Sequence, residues 1–113
     1  MRKSLISRER LKARRELRKI FTSAPSAETR GIKLFYCANT LSWSRIAVCP
    51  VRGFRNAVLR NRHKRLCREA FRALKERIKP GYDLAFVLYP GSFGYRDRLD
   101  QMEVVLDRAG LKR

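Results

Sequence analysis

The sequence predicts a single α+β domain in which helices pack on a mixed sheet, in the order α-β-β(-β)-α-β-α. Three observations support this. The chain has 113 residues, the size of one compact domain able to bury a core without staples. Apolar residues make up 44% of it, too many for a disordered basic tail. The apolar pattern changes period along the chain, from helical spacing to strand-like runs and back. No internal repeat divides it, so residues 1–113 form one unit.

Residues 8–21 read as the first helix, following a basic arm. Leu17, Ile20 and Phe21 cluster at helical spacing, and Ser7 stands where a cap would. Thr22 to Thr29, with Pro25 and two serines, is a loop or an irregular strand. Residues 32–38 predict a strand and Ser44 to Val51 a second; with a turn over Asn39 to Ser42 they predict a hairpin. Pro50 ends that second strand or puts it at an edge.

Asn56 is a good cap for a long helix over 57–78. On a helical wheel Leu59, His63, Leu66, Cys67, Ala70, Phe71, Leu74 and Ile78 share one face. Pro80-Gly81 stops the helix. Residues 82–89 are almost continuously apolar, which suits a strand buried on both faces. A last helix over 95–109 buries Leu99, Met102, Val105, Leu106 and Ala109, and Gly110 ends it.

Charge is the outlier. Lys and Arg number 28 against 10 Asp and Glu, a formal charge of +18. Such self-repulsion is tolerated for a polyanionic partner, most commonly nucleic acid. The excess is uneven. Residues 1–19 carry nine basic and two acidic side chains, residues 52–79 eleven and two, and residues 80–113 five of each. A partner should therefore meet the first helix and the middle segment, leaving the last third as scaffold. There Asp97, Asp100, Glu103 and Asp107 read with Arg96, Arg98 and Arg108 as a solvated face.

No run approaches the ~18 apolar residues of a membrane span, and the basic N-terminus lacks the apolar core of a signal peptide. A cytoplasmic protein is expected. Cys37, Cys49 and Cys67 show no C-x-x-C spacing, so buried free thiols are expected rather than a disulfide framework or a zinc site.

The strongest local feature is the row Arg60, Arg62, Lys64, Arg65, Arg68 and Arg72, six cations within 13 positions of one helix. Arginine suits phosphate because its planar fork donates two parallel hydrogen bonds. Asn61 adds a donor and an acceptor. A merely solvated face would need more acids nearby than Glu69 and Glu76. A membrane-surface helix would need the apolar face that the sheet requires. Catalysis by the protein itself finds little support. His63, the sole histidine, lies on the apolar side as a structural residue would, and no nucleophile, metal-ligand or Gly-rich phosphate motif is present.

The segment Asn56-Ala57-Val58-Leu59-Arg60-Asn61-Arg62-His63-Lys64-Arg65-Leu66-Cys67-Arg68-Glu69-Ala70-Phe71 resembles the hallmark of the protein component of bacterial ribonuclease P. The likeness extends along most of the chain. Arg10-Leu11-Lys12 with Leu17 and Ile20-Phe21 is similar to the family's first helix. Arg45 to Val48 and Tyr82 to Pro90 are similar to its strands, and Ala109-Gly110-Leu111 to its tail.

The resemblance implies a left-handed βαβ crossover, against the usual hand. It implies a protein that assists a catalytic RNA in removing the 5′ leader of precursor tRNA. Magnesium ions are then required by the RNA-containing holoenzyme, with no cofactor bound tightly by the protein and no obligate protein partner. It implies that Asn56, Arg60, Asn61, Arg62, Lys64, Arg65 and Arg68, joined by Arg52 and Arg55, contact the RNA subunit. Leu17, Phe21 and Phe35 would line a cleft for the single-stranded leader, where stacking on aromatic faces suits unpaired bases.

The chain departs from the family pattern in the 49–55 segment, where Arg55 replaces the glycine before Asn56 and Gly53 replaces a lysine. Leu88-Tyr89 replaces a basic position before Pro90, and Leu17 stands where an aromatic is common. A structural RNA-binding protein such as a ribosomal one, and an autonomous nuclease, are the competing classes.

Overall fold

The computed structural model describes residues 7–113, so the basic arm over residues 1–6 lies outside the described residues. Beyond a 3-10 turn at Ser7–Glu9, the elements are α1 (Arg14–Ser23), β1 (Ser26–Thr29), β2 (Ile32–Ala38), β3 (Arg45–Pro50), α2 (Ala57–Leu74), β4 (Tyr82–Leu88) and α3 (Tyr95–Arg108). This is the expected α+β order, with the optional strand present. The sheet is mixed, in the order β1-β2-β4-β3.

The hairpin expected between β2 and β3 does not form. β4 lies between them, antiparallel to β2 and parallel to β3. The reason is burial. A strand apolar on both faces gains most at the centre of a sheet, and Leu84, Ala85 and Phe86 are all fully buried there. The hairpin instead joins β1 to β2 through Arg30-Gly31, with Thr29 opposite Ile32. Gly31 has φ 86°, and a Cβ there would meet the Gln101 side chain at 2.6 Å. The connection β3-α2-β4 is the parallel crossover unit, and Pro50 closes β3 at the sheet edge.

The helix expected over 8–21 starts only at Arg14. The backbone before it is extended along the open edge of β3, where Leu11 N–H donates to Ile46 O at 2.8 Å and Arg10 bridges Ile46. Those bonds exclude a helical path. Ser7 is therefore no cap; Ala13 precedes the helix without a side-chain cap.

Side-chain alternation gives the sheet two apolar faces. Leu34, Ile46, Leu84, Phe86 and Leu88 pack with Cys67, Phe71 and Leu74 of α2 and with Met102, Val105 and Leu106 of α3. On the other face, Ala47 and Ala85 pack with Leu11 and Ile20. α2 follows its predicted wheel, except that Leu66 stays half-exposed outside both clusters. It unwinds into a 3-10 turn at Lys75–Arg77, short of the expected residue 78.

α3 ends as predicted at Gly110, whose φ of 73° lets Leu111 N–H reach Leu106 O at 3.0 Å. Ala109 is only half-buried. All three cysteines are free thiols, but only Cys67 is buried; Cys37 and Cys49 are half-buried. Burial pushes the Cys67 thiol up to about 12.

Candidate nucleic-acid interface

The cationic helix begins with a built cap. Asn56 Oδ1 accepts from Leu59 N–H at 2.9 Å, so this side-chain oxygen orients the first turn. His63, Cys67, Ala70, Phe71 and Leu74 are buried beneath the helix. That fixes the rotation of α2, leaving Asn61, Arg62 and Arg65 exposed and Arg60, Lys64 and Arg68 half-exposed. Arg52 and Arg55 are exposed in the loop before it. Among the described residues, ion pairs form elsewhere: Arg45 with Glu16 and Asp83, Lys75 with Glu9, Arg96 with Asp100, and Lys112 with Glu103. Among the described residues the ridge from Arg60 to Arg68 thus has no carboxylate partners.

Beneath it stands an arrangement the sequence misassigned. Arg98, expected on the solvated face of α3, is completely buried. Its Nε donates to His63 Nδ1 at 3.2 Å, its Nη1 to Gly31 O at 2.8 Å and Gln101 Oε1 at 3.0 Å, and its Nη2 to Tyr89 O at 2.9 Å. The Phe93 ring lies 4.9 Å from its guanidinium carbon. One planar fork thereby ties α2, α3, the β1-β2 turn and the end of β4. The acceptors come from elements distant in sequence, which is why spacing on α3 alone could not show it. His63 is the buried structural histidine the sequence predicts. Burial foremost, then the Arg98 and Arg62 guanidiniums, hold it below its ordinary value.

On the opposite face of the sheet the structure brings Leu17, Phe21 and Phe35 together. Phe21 and Phe35 meet edge-to-face, with ring centroids 5.1 Å apart and planes at 87°. Phe21 remains 38% exposed. Lys33 Nζ stands 5.0 Å from the Phe35 centroid. Leu17 lines a neighbouring cavity of about 210 Å³ with Arg10, Lys12, Ala47, Cys49 and Arg68. Arg68 therefore belongs both to the ridge on α2 and to the cavity that Leu17 lines beside α1, a position that the helical wheel did not reveal.

The other flank of α1 is held by Arg45. Its Nε and Nη2 donate to Asp83 Oδ1 and Oδ2 at 2.8 and 2.7 Å, and Nη2 also reaches Glu16 Oε2 at 2.7 Å. Asn39 Nδ2 donates to Asp83 Oδ1 at 3.0 Å. These bonds, Asp83 first, push the Arg45 guanidinium up from its ordinary value. The signal in the sequence was a lone carboxylate, Asp83, inside an apolar strand.

Among the described residues no helix is long and apolar enough to cross a membrane. None of their His, Cys, Asp and Glu side chains gather in threes to hold a metal ion.

The sequence and the fold have counterparts. The family model described as Ribonuclease P matches residues 5–110. The ribonuclease P protein component of Petrotoga mobilis is 36% identical over 80 residues, covering 71% of this chain and 68% of that one. The solved RNase P protein of Thermotoga maritima superposes with a TM-score of 0.80 at 26% identity, covering 88% of this chain and 96% of that one. The RNase P protein of Staphylococcus aureus shares the fold, with a TM-score of 0.83 at 24% identity over 93% and 98% of the two chains.

Proposed function

This chain belongs to the ribonuclease P protein family, and we propose that its two faces bind the catalytic RNA and the 5′ leader of precursor tRNA. Membership makes it the protein subunit of a ribonucleoprotein involved in tRNA processing. The finer assignment is a reading of the surface. Arg60, Asn61, Arg62, Lys64, Arg65 and Arg68, with Arg52, Arg55 and Asn56 at the head of the helix, hold the RNA subunit. Leu17, Phe21 and Phe35 hold the single-stranded leader.

The observation that carries this reading is the placement of Arg68. It belongs to the α2 ridge and lines the cavity that Leu17 also lines. The ridge on α2 and the cavity beside α1 thus share Arg68, so a polyanion bound along α2 is led to the side of the sheet that carries Phe21 and Phe35. Cations along a backbone path with aromatic rings for bases are what single-strand binding requires. On this reading the RNA and its Mg2+ ions perform the cleavage in the cytoplasm, and the protein alone is inactive. The protein's cations offset the repulsion between the two RNAs, which lowers the salt and magnesium needed to bring them together.

Reconstitution tests the proposal. The protein is mixed with a bacterial ribonuclease P RNA and 5′-labelled precursor tRNA at low magnesium, beside each component alone. Cleavage at the mature 5′ end by the mixture only is the expected outcome. A protein that never stimulates the RNA is a structural RNA binder, and one that cleaves alone is a nuclease in its own right.

A further inference from the structure

A second depression adjoins the cationic ridge, away from the leader cleft. It is a groove of about 450 Å³ between the first turns of α2 and the loop that follows β4. Leu59, Arg62 and His63 form the helix side, and residues 91–94 form the loop side. The volume falls in the range of sites that take an organic ring system, roughly 300–1,000 Å³.

Its chemistry is divided. The loop side is Gly-Ser-Phe-Gly, without a charged side chain, and Leu59 adds an apolar surface. His63 is held neutral in its bond with Arg98. Among the lining side chains only Arg62 is charged, and it is exposed. Val58, one turn before Arg62, is 76% exposed, an apolar side chain left uncovered amid Arg55, Arg60 and Arg62.

The floor does not move easily. The Arg98 fork holds His63, Tyr89 O and Gly31 O. On the loop side Phe93 N–H donates to Gly91 O at 2.9 Å, and Gly94 N–H donates to Asp97 Oδ2 at 2.8 Å.

We infer that this groove receives one unpaired base of the RNA subunit, turned out from its strand, while Arg62 holds the adjoining phosphate. The inference rests on the function proposed above and deepens it. The occupant follows from charge complementarity: the rim belongs to a ridge of cations that have no carboxylate partner among the described residues, so what lies along it is polyanionic. An uncharged, partly apolar recess beside such a rim does not suit a phosphate. It suits a base, whose faces are apolar and whose edge takes hydrogen bonds. The cations of the ridge read only backbone charge. A base pocket adds a fixed register, since contacts to bases specify where contacts to phosphates only position.

The test uses the full chain and a bacterial ribonuclease P RNA. Ser92→Trp fills the groove from its exposed loop. Val58→Ser removes the exposed apolar side chain one turn before Arg62 without touching the core, and both variants should keep the native circular dichroism and melting temperature. The affinity of Ser92→Trp for the RNA should fall at least tenfold and that of Val58→Ser about threefold, with the salt slope unchanged because no phosphate contact is lost. Base-specific chemical probing should show a nucleotide protected by the native protein and reactive again with Ser92→Trp.

Native affinity in both variants overturns the inference. So does a loss confined to leader-bearing precursor tRNA, which would give the groove to the substrate. Failure of the native chain to bind the RNA at all overturns the functional reading, and the groove assignment with it.

Discussion

His63 Nδ1 accepts a hydrogen bond from the buried guanidinium of Arg98 at 3.2 Å, directly beneath the row of cations that starts at Arg60. The contact requires a neutral imidazole carrying its proton on Nε2. It makes the stability of the basic helix depend on pH in a defined direction.

His63 is held below its ordinary value, by burial first and the neighbouring arginines second. A base whose folded value is depressed contributes stability that is fully present above the unfolded value, about 6.5. That stability is lost as pH falls through the unfolded value towards the folded one, because the unfolded chain takes up the proton first. Urea midpoints measured between pH 8 and 5 should therefore fall on the acid side. His63→Gln should flatten that part of the profile, and an unchanged profile would remove His63 as its source.

Arg98 is expected to be intolerant of substitution. Arg98→Ala leaves Gly31 O, Tyr89 O, Gln101 and His63 without their shared donor, and opens a void in a buried site. A loss of about 3 kcal/mol is expected. Arg98→Lys should rescue little, since one ammonium cannot span a planar fork of four acceptors. Denaturant unfolding of both variants measures this, and near-native stability of the lysine variant would contradict the geometry.

Arg62 stands exposed on the ridge, so Arg62→Ala should leave the fold intact. Its affinity for the RNA subunit should fall, and the slope of log K against log salt should lose about one unit. A slope equal to that of the native protein places Arg62 outside the footprint.

Phe35 meets Phe21 edge-to-face at 5.1 Å on the half-open face of the sheet. Phe35→Ala should weaken binding of leader-bearing precursor by about 1–3 kcal/mol, the stacking of one base. Mature tRNA, which lacks the leader, should bind the reconstituted holoenzyme almost as before. Equal losses for both would make Phe35 a packing residue only.

Much of this was legible in the sequence, for physical reasons. The 3.6-residue period of α2 placed His63, Cys67, Phe71 and Leu74 beneath it. With the buried face assigned, the exposure of Arg65 and the half-exposed places of Arg60, Lys64 and Arg68 on the flank followed. Asn56 was readable as a cap because capping is local. The two-faced burial of 82–89 was readable from its unbroken apolar run. The grouping of Leu17, Phe21 and Phe35 came from the family resemblance, since these residues have no sequence relationship that would join a helix to a strand.

The errors share a cause. The β2-β3 hairpin was expected because consecutive strands commonly pair, but β4 arrives through a helical crossover and takes the central place. The first helix was overextended because hydrogen bonding of Leu11 to Ile46 is a tertiary event. Arg98 was read as solvated because its acceptors lie on three other elements.

By itself, then, the sequence determined the elements with a strong period, the cationic face of α2 and the family. Those depend on the chain's own spacing and on local capping. Strand order, the burial of Arg98, the place of Arg68 in the cavity beside Leu17 and the groove beside Arg62 were decided only in the tertiary structure. Each depends on groups brought together from distant positions, where burial and hydrogen bonding outweigh local preference.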